Sequence, residues 1–87
     1  SFRLDEADPL KRAQAMDRME NTLRQSLRGG DPFTRGGNEL FLLLLPGANR
    51  ENGEMVANRI LTCYNRDLPA DLAPFAYQVM DLNSEEA

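Results

Sequence analysis

The sequence predicts an α+β domain in which two helices pack on one face of a four-stranded antiparallel sheet. Three observations lead to this prediction: two segments with helical spacing of apolar residues, a run of five apolar residues between Gly and Pro, and two short alternating segments near the ends of the chain. In chain order the elements are strand, helix, strand, strand, helix and strand. This order is that of the ferredoxin-like, split βαββαβ arrangement.

A short strand comes first and is followed by a long helix. Phe2 and Leu4 alternate with polar neighbours, a pattern typical of a strand. Asp8 suits the cap of a helix, and Pro9 suits its first position because proline has no N–H to leave unpaired. The helix should run over residues 9–28 and end at Gly29-Gly30. Its predicted buried stripe contains Leu10, Ala13, Met16, Met19, Leu23 and Leu27.

The most apolar segment is Phe-Leu-Leu-Leu-Leu at residues 41–45. A run of this kind is either a strand buried on both faces or a helix fragment, and the flanking Gly and Pro favour the strand. We expect it at the centre of the sheet. The glycines at residues 36–37 suit a hairpin that joins a strand at 33–36 to one at 40–45.

A second helix is predicted over residues 50–65. Asn49 can cap it, and Glu51 lies in the first turn, where the helix dipole favours an acid. We expect Cys63 to pack as a small apolar residue near its end. The predicted buried face contains Val56, Ala57, Ile60 and Tyr64.

A linker with two prolines, residues 66–74, leads to a last strand predicted at 75–82. The 87 residues should form a single domain, 1–87, since a chain this short cannot bury two separate cores. Because Ser1 rather than Met opens the chain, we expect it to be part of a larger multidomain protein.

Composition excludes several classes of function. Ten basic and 14 acidic residues give a net charge of -4, which disfavours direct binding to nucleic acid or to an anionic membrane. No apolar run approaches the roughly 20 residues that span a bilayer. One cysteine and no histidine exclude an internal disulfide framework, the common zinc sites and histidine-based catalytic triads. We therefore expect a cytoplasmic protein.

The segment at residues 27–46 carries a family resemblance. It reads Leu-Arg-Gly-Gly-Asp-Pro-Phe-Thr-Arg-Gly-Gly-Asn-Glu-Leu-Phe-Leu-Leu-Leu-Leu-Pro. It resembles the centre of GGDEF-type diguanylate cyclases, where Arg-x-x-Asp and a later Arg precede Gly-Gly-Asp/Glu-Glu-Phe and a strand continues into Leu-Leu-Pro. The resemblance extends to about residue 61 and implies a nucleotide-cyclase-like fold. It places a vestigial nucleotide site at Arg28, Asp31, Arg35, Gly37 and Glu39.

The five family positions fall on residues 37–41 without a gap, or on residues 36–40 if the alignment slides by one. The ungapped register is preferred because it keeps Arg28, Asp31, Arg35, Phe41 and Pro46 all in phase. The ungapped register keeps Glu39 as the acid that would hold a metal, but Asn38 replaces a glycine and Leu40 replaces the second acid. In the shifted register Asn38 takes the metal-ligand position, and an amide is a poor ligand for a hard cation. Asp5 is the candidate for the family's first-strand carboxylate.

The proportions of the chain also resemble the C-terminal module of some bacterial transcription regulators that carry a bacterial transcriptional activator domain. This resemblance implies a catalytically silent regulatory or assembly module, with no cofactor and no bound metal. Its partners would be other domains of the same protein or a second copy. The alternatives are a module that binds GTP or cyclic di-GMP without turnover, and an active diguanylate cyclase.

Each candidate residue also has a plain structural explanation. Arg28 suits a helix C-terminus and Asp31 suits a turn. Glu39 suits a solvent-facing hairpin, and Asp5 is part of an acidic lead-in to the first helix. The sequence alone leaves both explanations open for these residues.

Overall fold

A computed structural model describes residues 1–27, 33–45 and 49–80. The two helices and four strands occur in the predicted order. In chain order they are β1 (Phe2–Leu4), α1 (Pro9–Ser26), β2 (Phe33–Arg35), β3 (Leu40–Leu43), α2 (Arg50–Asn65) and β4 (Phe75–Tyr77).

The four strands form one antiparallel sheet with the order β2-β3-β1-β4. Strand β3 pairs with β2 through Arg35 and Phe41, and with β1 through Phe2 and Phe41. The prediction of a ferredoxin-like split βαββαβ fold is confirmed, as is the central place of β3. The register places Phe41 in the middle of the sheet, on the face that the helices cover.

The core lies between this face and the two helices. From α1 it receives Met16, Met19 and Leu23, which are fully buried, and from α2 it receives Ile60 and Tyr64. These residues recur at steps of three and four, so each helix presents one apolar stripe to the sheet. The sheet contributes Phe2, Leu4, Phe41 and Phe75.

Both helices begin at the predicted caps. An Asp8 carboxylate oxygen accepts a 2.9 Å hydrogen bond from Leu10 N, and the Asn49 side-chain oxygen accepts one of 2.8 Å from Asn52 N. These bonds satisfy N–H groups that have no partner within the first turn. Neither described helix is long and apolar enough to cross a membrane.

The end of α2 is held by an arginine from α1. Arg18 Nε donates to the carbonyl of Tyr64 at 2.9 Å, and its Nη2 donates to the carbonyl of Arg66 at 2.6 Å. The guanidinium also lies 5.4 Å from the centre of the Tyr64 ring. A cation at a helix C-terminus offsets the negative end of the dipole, so Arg18 joins the two helices.

The prediction for α1 is wrong at the C-terminal boundary of the helix and at the N-terminal end of its stripe, whereas Leu27, at the other end of the stripe, is buried as predicted. The helix ends at Ser26 rather than at residue 28, and Leu10, predicted to be buried, is 67% exposed; Ala13 is exposed as well. The 18 residues of α1 are about 27 Å long, whereas strands of three or four residues cover only about 10–13 Å. The first turns of α1 therefore extend beyond the sheet.

The apolar pentad is a strand, as predicted, but it is not buried on both faces. Strand β3 ends at Leu43 rather than at residue 45, and Leu42 and Leu44 are 46% and 55% exposed. Because both helices pack on one face, only alternate residues of an antiparallel strand reach the core.

Three smaller predictions also need correction. Cys63 is exposed rather than packed, since it lies about 90° around α2 from the mean direction of Ala57, Ile60 and Tyr64. Strand β2 ends at Arg35 rather than at residue 36. Strand β4 ends at Tyr77 rather than at residue 82, because β1, the strand beside it in the described sheet, is three residues long.

Candidate functional site

The tip of the β2–β3 hairpin contains Gly37, Asn38 and Glu39, three residues on which the family resemblance depends. Gly36 N donates to Leu40 O at 2.8 Å and closes a tight reversal over residues 37–39. Gly37 has a φ of 75°, a backbone conformation that a residue with a Cβ adopts only at a cost. Gly37, Asn38 and Glu39 are all exposed, so the tip is open to solvent.

Glu39 is anchored through its backbone rather than through its carboxylate. Its carbonyl accepts a 2.8 Å hydrogen bond from Leu4 N, which places the hairpin beside the end of β1. Asp5 is the residue that follows Leu4 in the chain. Within residues 1–27, 33–45 and 49–80, no three His, Cys, Asp or Glu side chains lie together as a metal would require. The described part of the hairpin thus offers one carboxylate of its own.

Arg35 points from the base of the hairpin toward α1. Its Nη1 lies 3.2 Å from a carboxylate oxygen of Glu20 and 3.6 Å from one of Asp17. Its guanidinium carbon lies 5.9 Å from the centre of the Phe41 ring. These contacts attach the edge strand β2 to α1. They pair the positive charge of Arg35 with carboxylates of α1, whereas the family resemblance predicts that this charge contacts a nucleotide.

Glu20 is the centre of this charge cluster, which also includes Asp17, Arg24 and Arg35. Arg24 Nη2 donates a 2.7 Å hydrogen bond to Glu20, which lies four residues earlier on the same helix. This hydrogen bond, together with the charges of Arg24 and Arg35, lowers the pKa of the Glu20 carboxyl. Glu20 is therefore ionised and pairs with both arginines near neutral pH.

The five predicted site residues have different outcomes. Arg35, Gly37 and Glu39 lie on the same hairpin, Arg35 at its base and the other two at its tip. Arg28 and Asp31 lie outside the described residues. The prediction that all five form one nucleotide site therefore stays a prediction.

Sequence reasoning missed the contacts of Arg35 with α1. The Glu20–Arg24 pair is visible from its spacing, but Arg35 lies 15 residues from Glu20 in the chain. No local pattern predicts such a pair. Only the packing of α1 across β2 brings these residues together.

Comparison with known proteins adds no relative: no family model, no curated protein and no solved structure matches the chain.

Proposed function

We propose that the chain is a catalytically silent relative of GGDEF-type diguanylate cyclases that serves as a regulatory or assembly module of a bacterial signalling or transcription-regulating protein. The observation that carries this proposal is the hairpin tip. It joins two strands of the sheet in the expected place, but its exposed residues 37–39 include a single carboxylate, that of Glu39. Mg²⁺ at a site of phosphate chemistry is usually held by one or two carboxylates together with substrate phosphates and water, and the family's second hairpin acid is replaced here by Leu40.

The residues beside Glu39 support the same proposal. Leu40, which takes the place of the second acid in the ungapped register, packs against Gly36 across the hairpin, and its Cδ2 would lie 3.3 Å from a Cβ at residue 36. Arg35 is occupied by Glu20 and Asp17, so a phosphate would have to compete with two carboxylates for it. Both residues have taken structural roles in place of chemical ones.

The test of catalysis is incubation of the 87-residue chain with GTP and Mg²⁺, followed by mass-spectrometric detection of cyclic di-GMP. We expect the chain to form no more product than Glu39→Ala. The matched control is Glu51→Ala, which removes an exposed acid from the first turn of α2. Product formation that is lost in Glu39→Ala and kept in Glu51→Ala would refute the proposal.

The second candidate function is binding of GTP or cyclic di-GMP without turnover. Gly37 motivates this candidate, because a glycine with open space beside it lets a ligand approach the backbone closely. No described heavy atom lies within 4 Å of the position that a Cβ of residue 37 would take. Calorimetric titration with each nucleotide separates the two candidates. Micromolar binding that Arg28→Ala abolishes supports the nucleotide module, and the absence of heat supports the assembly module.

The partners in this proposal are other domains of the same cytoplasmic protein or a second copy of the chain. Direct binding of nucleic acid or membrane is not part of it, because the net charge of -4 opposes binding to polyanions. A salt-dependent gel shift with duplex DNA would contradict this part of the proposal.

A further inference from the structure

The face of the sheet opposite the helices, which we call the open face, carries a row of leucines on its central strand. We define the open face by Arg3, Thr34, Leu40, Leu42, Leu44 and Ala76. The register places Thr34 beside Leu42, and Arg3 between Leu40 and Ala76. Leu44 continues the alternation of β3 beyond its last paired residue, and Leu43 and Leu45 pack against the core on the opposite side.

Two of the three leucines of the open face are accessible to a partner, and Leu40 is half-buried. Leu42 is 46% exposed and Leu44 is 55% exposed, while Arg3, Thr34 and Ala76 are in the exposed class. The row runs along β3, with Thr34 of β2 on one side and Arg3 of β1 on the other, and Ala76 lies beyond Arg3 on β4. The result is an apolar ridge on a shallow surface.

The size of this surface favours a single helix over a second copy of the chain. Leucines two residues apart are about 6.8 Å apart along the strand, so the row is about 13.5 Å long. Four strands at about 4.8 Å spacing make the face about 15 Å wide, or roughly 200 Å² in plane. A stable dimer buries about 800 Å² of accessible surface on each partner, which six residues on a patch of this size cannot supply. A helix tethered in the same protein needs less contact area, because tethering raises its effective concentration.

A helix matches both the spacing and the width. Residues four apart on a helix rise about 6 Å, which is close to the spacing of the leucines, and a helix with its side chains is about 10 Å wide. A helix of about ten residues, lying along β3, would cover the row. Its apolar residues would be four apart, at i, i+4 and i+8.

The chemistry of the open face selects the kind of helix. Of its six defining residues only Arg3 is charged, and it lies beside Leu40 at one end of the row. A helix that covers Leu40 would bury part of the Arg3 side chain, and an acidic residue at that point compensates the charge. RNA is a poor occupant, because the six residues include no aromatic side chain on which a base could stack.

We propose that the open face docks one amphipathic helix, supplied by another domain of the same protein, with apolar residues at i, i+4 and i+8 and a glutamate or aspartate opposite Arg3. This inference rests on the proposed assembly function and names the surface that would perform it. The bound helix would form a third layer on the sheet, opposite α1 and α2.

The test uses a synthetic 14-residue helical peptide as the probe, with leucine at i, i+4 and i+8, a glutamate at the end that meets Arg3, and Gln, Lys and Ala elsewhere. Titration into the ¹⁵N-labelled chain should shift the amide signals of Arg3, Leu42 and Ala76. Leu42→Lys should weaken binding at least tenfold. The matched control is Leu10→Lys, the same change at a leucine that is 67% exposed on α1, and it should alter affinity less than twofold.

Two further experiments distinguish specific docking at the open face from nonspecific binding to an apolar surface. Arg3→Glu should weaken binding of the glutamate peptide and restore it for a peptide with lysine at that position. A peptide of the same composition with its leucines spread around the helix should not bind. Leu42→Thr, which introduces a β-branched residue that suits a strand, should reproduce the loss of binding if Leu42→Lys alters the fold.

The proposal is overturned if millimolar peptide shifts no signal on the open face, or if it shifts signals elsewhere. It is also overturned if sedimentation equilibrium shows a dimer that Leu42→Lys dissolves, because a second copy would then be the occupant. No nucleotide is present in these measurements. Synthesis of cyclic di-GMP would therefore refute the proposed function without changing the result of the peptide titration. Absence of peptide binding would refute the docking proposal without bearing on whether the hairpin is catalytically inactive.

Discussion

The contacts of Arg35 can be tested by replacing it and its strongest partner. Arg35→Gln and Glu20→Gln remove one charge each and keep most of the side-chain volume, and the double variant closes the thermodynamic cycle. The cycle isolates the Arg35–Glu20 interaction from the separate contact of Glu20 with Arg24. If Arg35 holds β2 on α1, the two residues must be energetically coupled.

The expected magnitude follows from exposure and distance. Exposed ion pairs contribute about 0.2–1 kcal/mol, and this 3.2 Å pair belongs near the upper end because its side chains are only 39% and 28% exposed. Asp17 is 74% exposed and 3.6 Å away, so it adds little. The contact with the Phe41 ring contributes about 0.5–1 kcal/mol. We expect a coupling energy of about 0.5–1 kcal/mol and a loss of about 1–2 kcal/mol for Arg35→Gln.

The assay is urea unfolding of the four chains at pH 7, in low salt and in 1 M NaCl. High salt reduces the Debye length to about 3 Å and should remove most of the coupling. The matched control is the same cycle on Arg50 and Glu54, an i,i+4 pair at 3.8 Å whose side chains are 70% and 48% exposed. Its coupling energy should be about 0.3 kcal/mol or less.

A different result would show that Arg35 serves a ligand. Coupling no larger than that of the Arg50–Glu54 control, together with GTP or cyclic di-GMP binding that Arg35→Gln abolishes, would refute the structural role. The side chain would then leave α1 when nucleotide is present. The nucleotide-binding alternative would replace the assembly module as the better proposal.

Three further predictions concern stability. Arg18→Ala should cost about 2 kcal/mol, because it removes two charge-assisted hydrogen bonds from the end of α2, whereas Arg50→Ala should change the urea midpoint little. Gly37→Ala should lower the free energy of unfolding by about 1 kcal/mol, and Gly37→Asn by less, because φ is 75° at this position. A Cβ there would contact no described atom, so the change measured by thermal unfolding reports the backbone strain. Glu20 stabilises the fold above its ordinary pKa of 4.5, and this stabilisation is lost as the pH falls through its lowered folded-state pKa; urea midpoints of the wild-type chain and Glu20→Gln should therefore converge in acid.

Local sequence signals account for the elements that were predicted correctly. The caps at Asp8 and Asn49 and the glycines of the hairpin act through neighbouring backbone atoms, so their effect can be inferred from the residues alone. The order of elements then leaves few topologies, since short connections favour neighbouring strands. The contacts that were missed, those of Arg18 and Arg35, join elements that are distant in the chain.

The candidate site was predictable only as a set of residue types. The resemblance to cyclases selects Arg35, Gly37 and Glu39 by position, but it cannot say whether an arginine faces a ligand or a helix. That outcome depends on Asp17 and Glu20, which α1 carries to the same edge of the sheet. The direction of one side chain therefore changes the functional interpretation of the hairpin.

The sequence by itself determined the identity, order and starting points of the helices and strands, because apolar periodicity, caps and turns are short-range properties of the chain. Only the tertiary structure decided which leucines of the apolar pentad face water. A uniform run of apolar residues has no period, so its inner and outer faces are indistinguishable until two helices cover one of them. The exposed leucine row exists for this reason, and no local feature of the sequence reveals it.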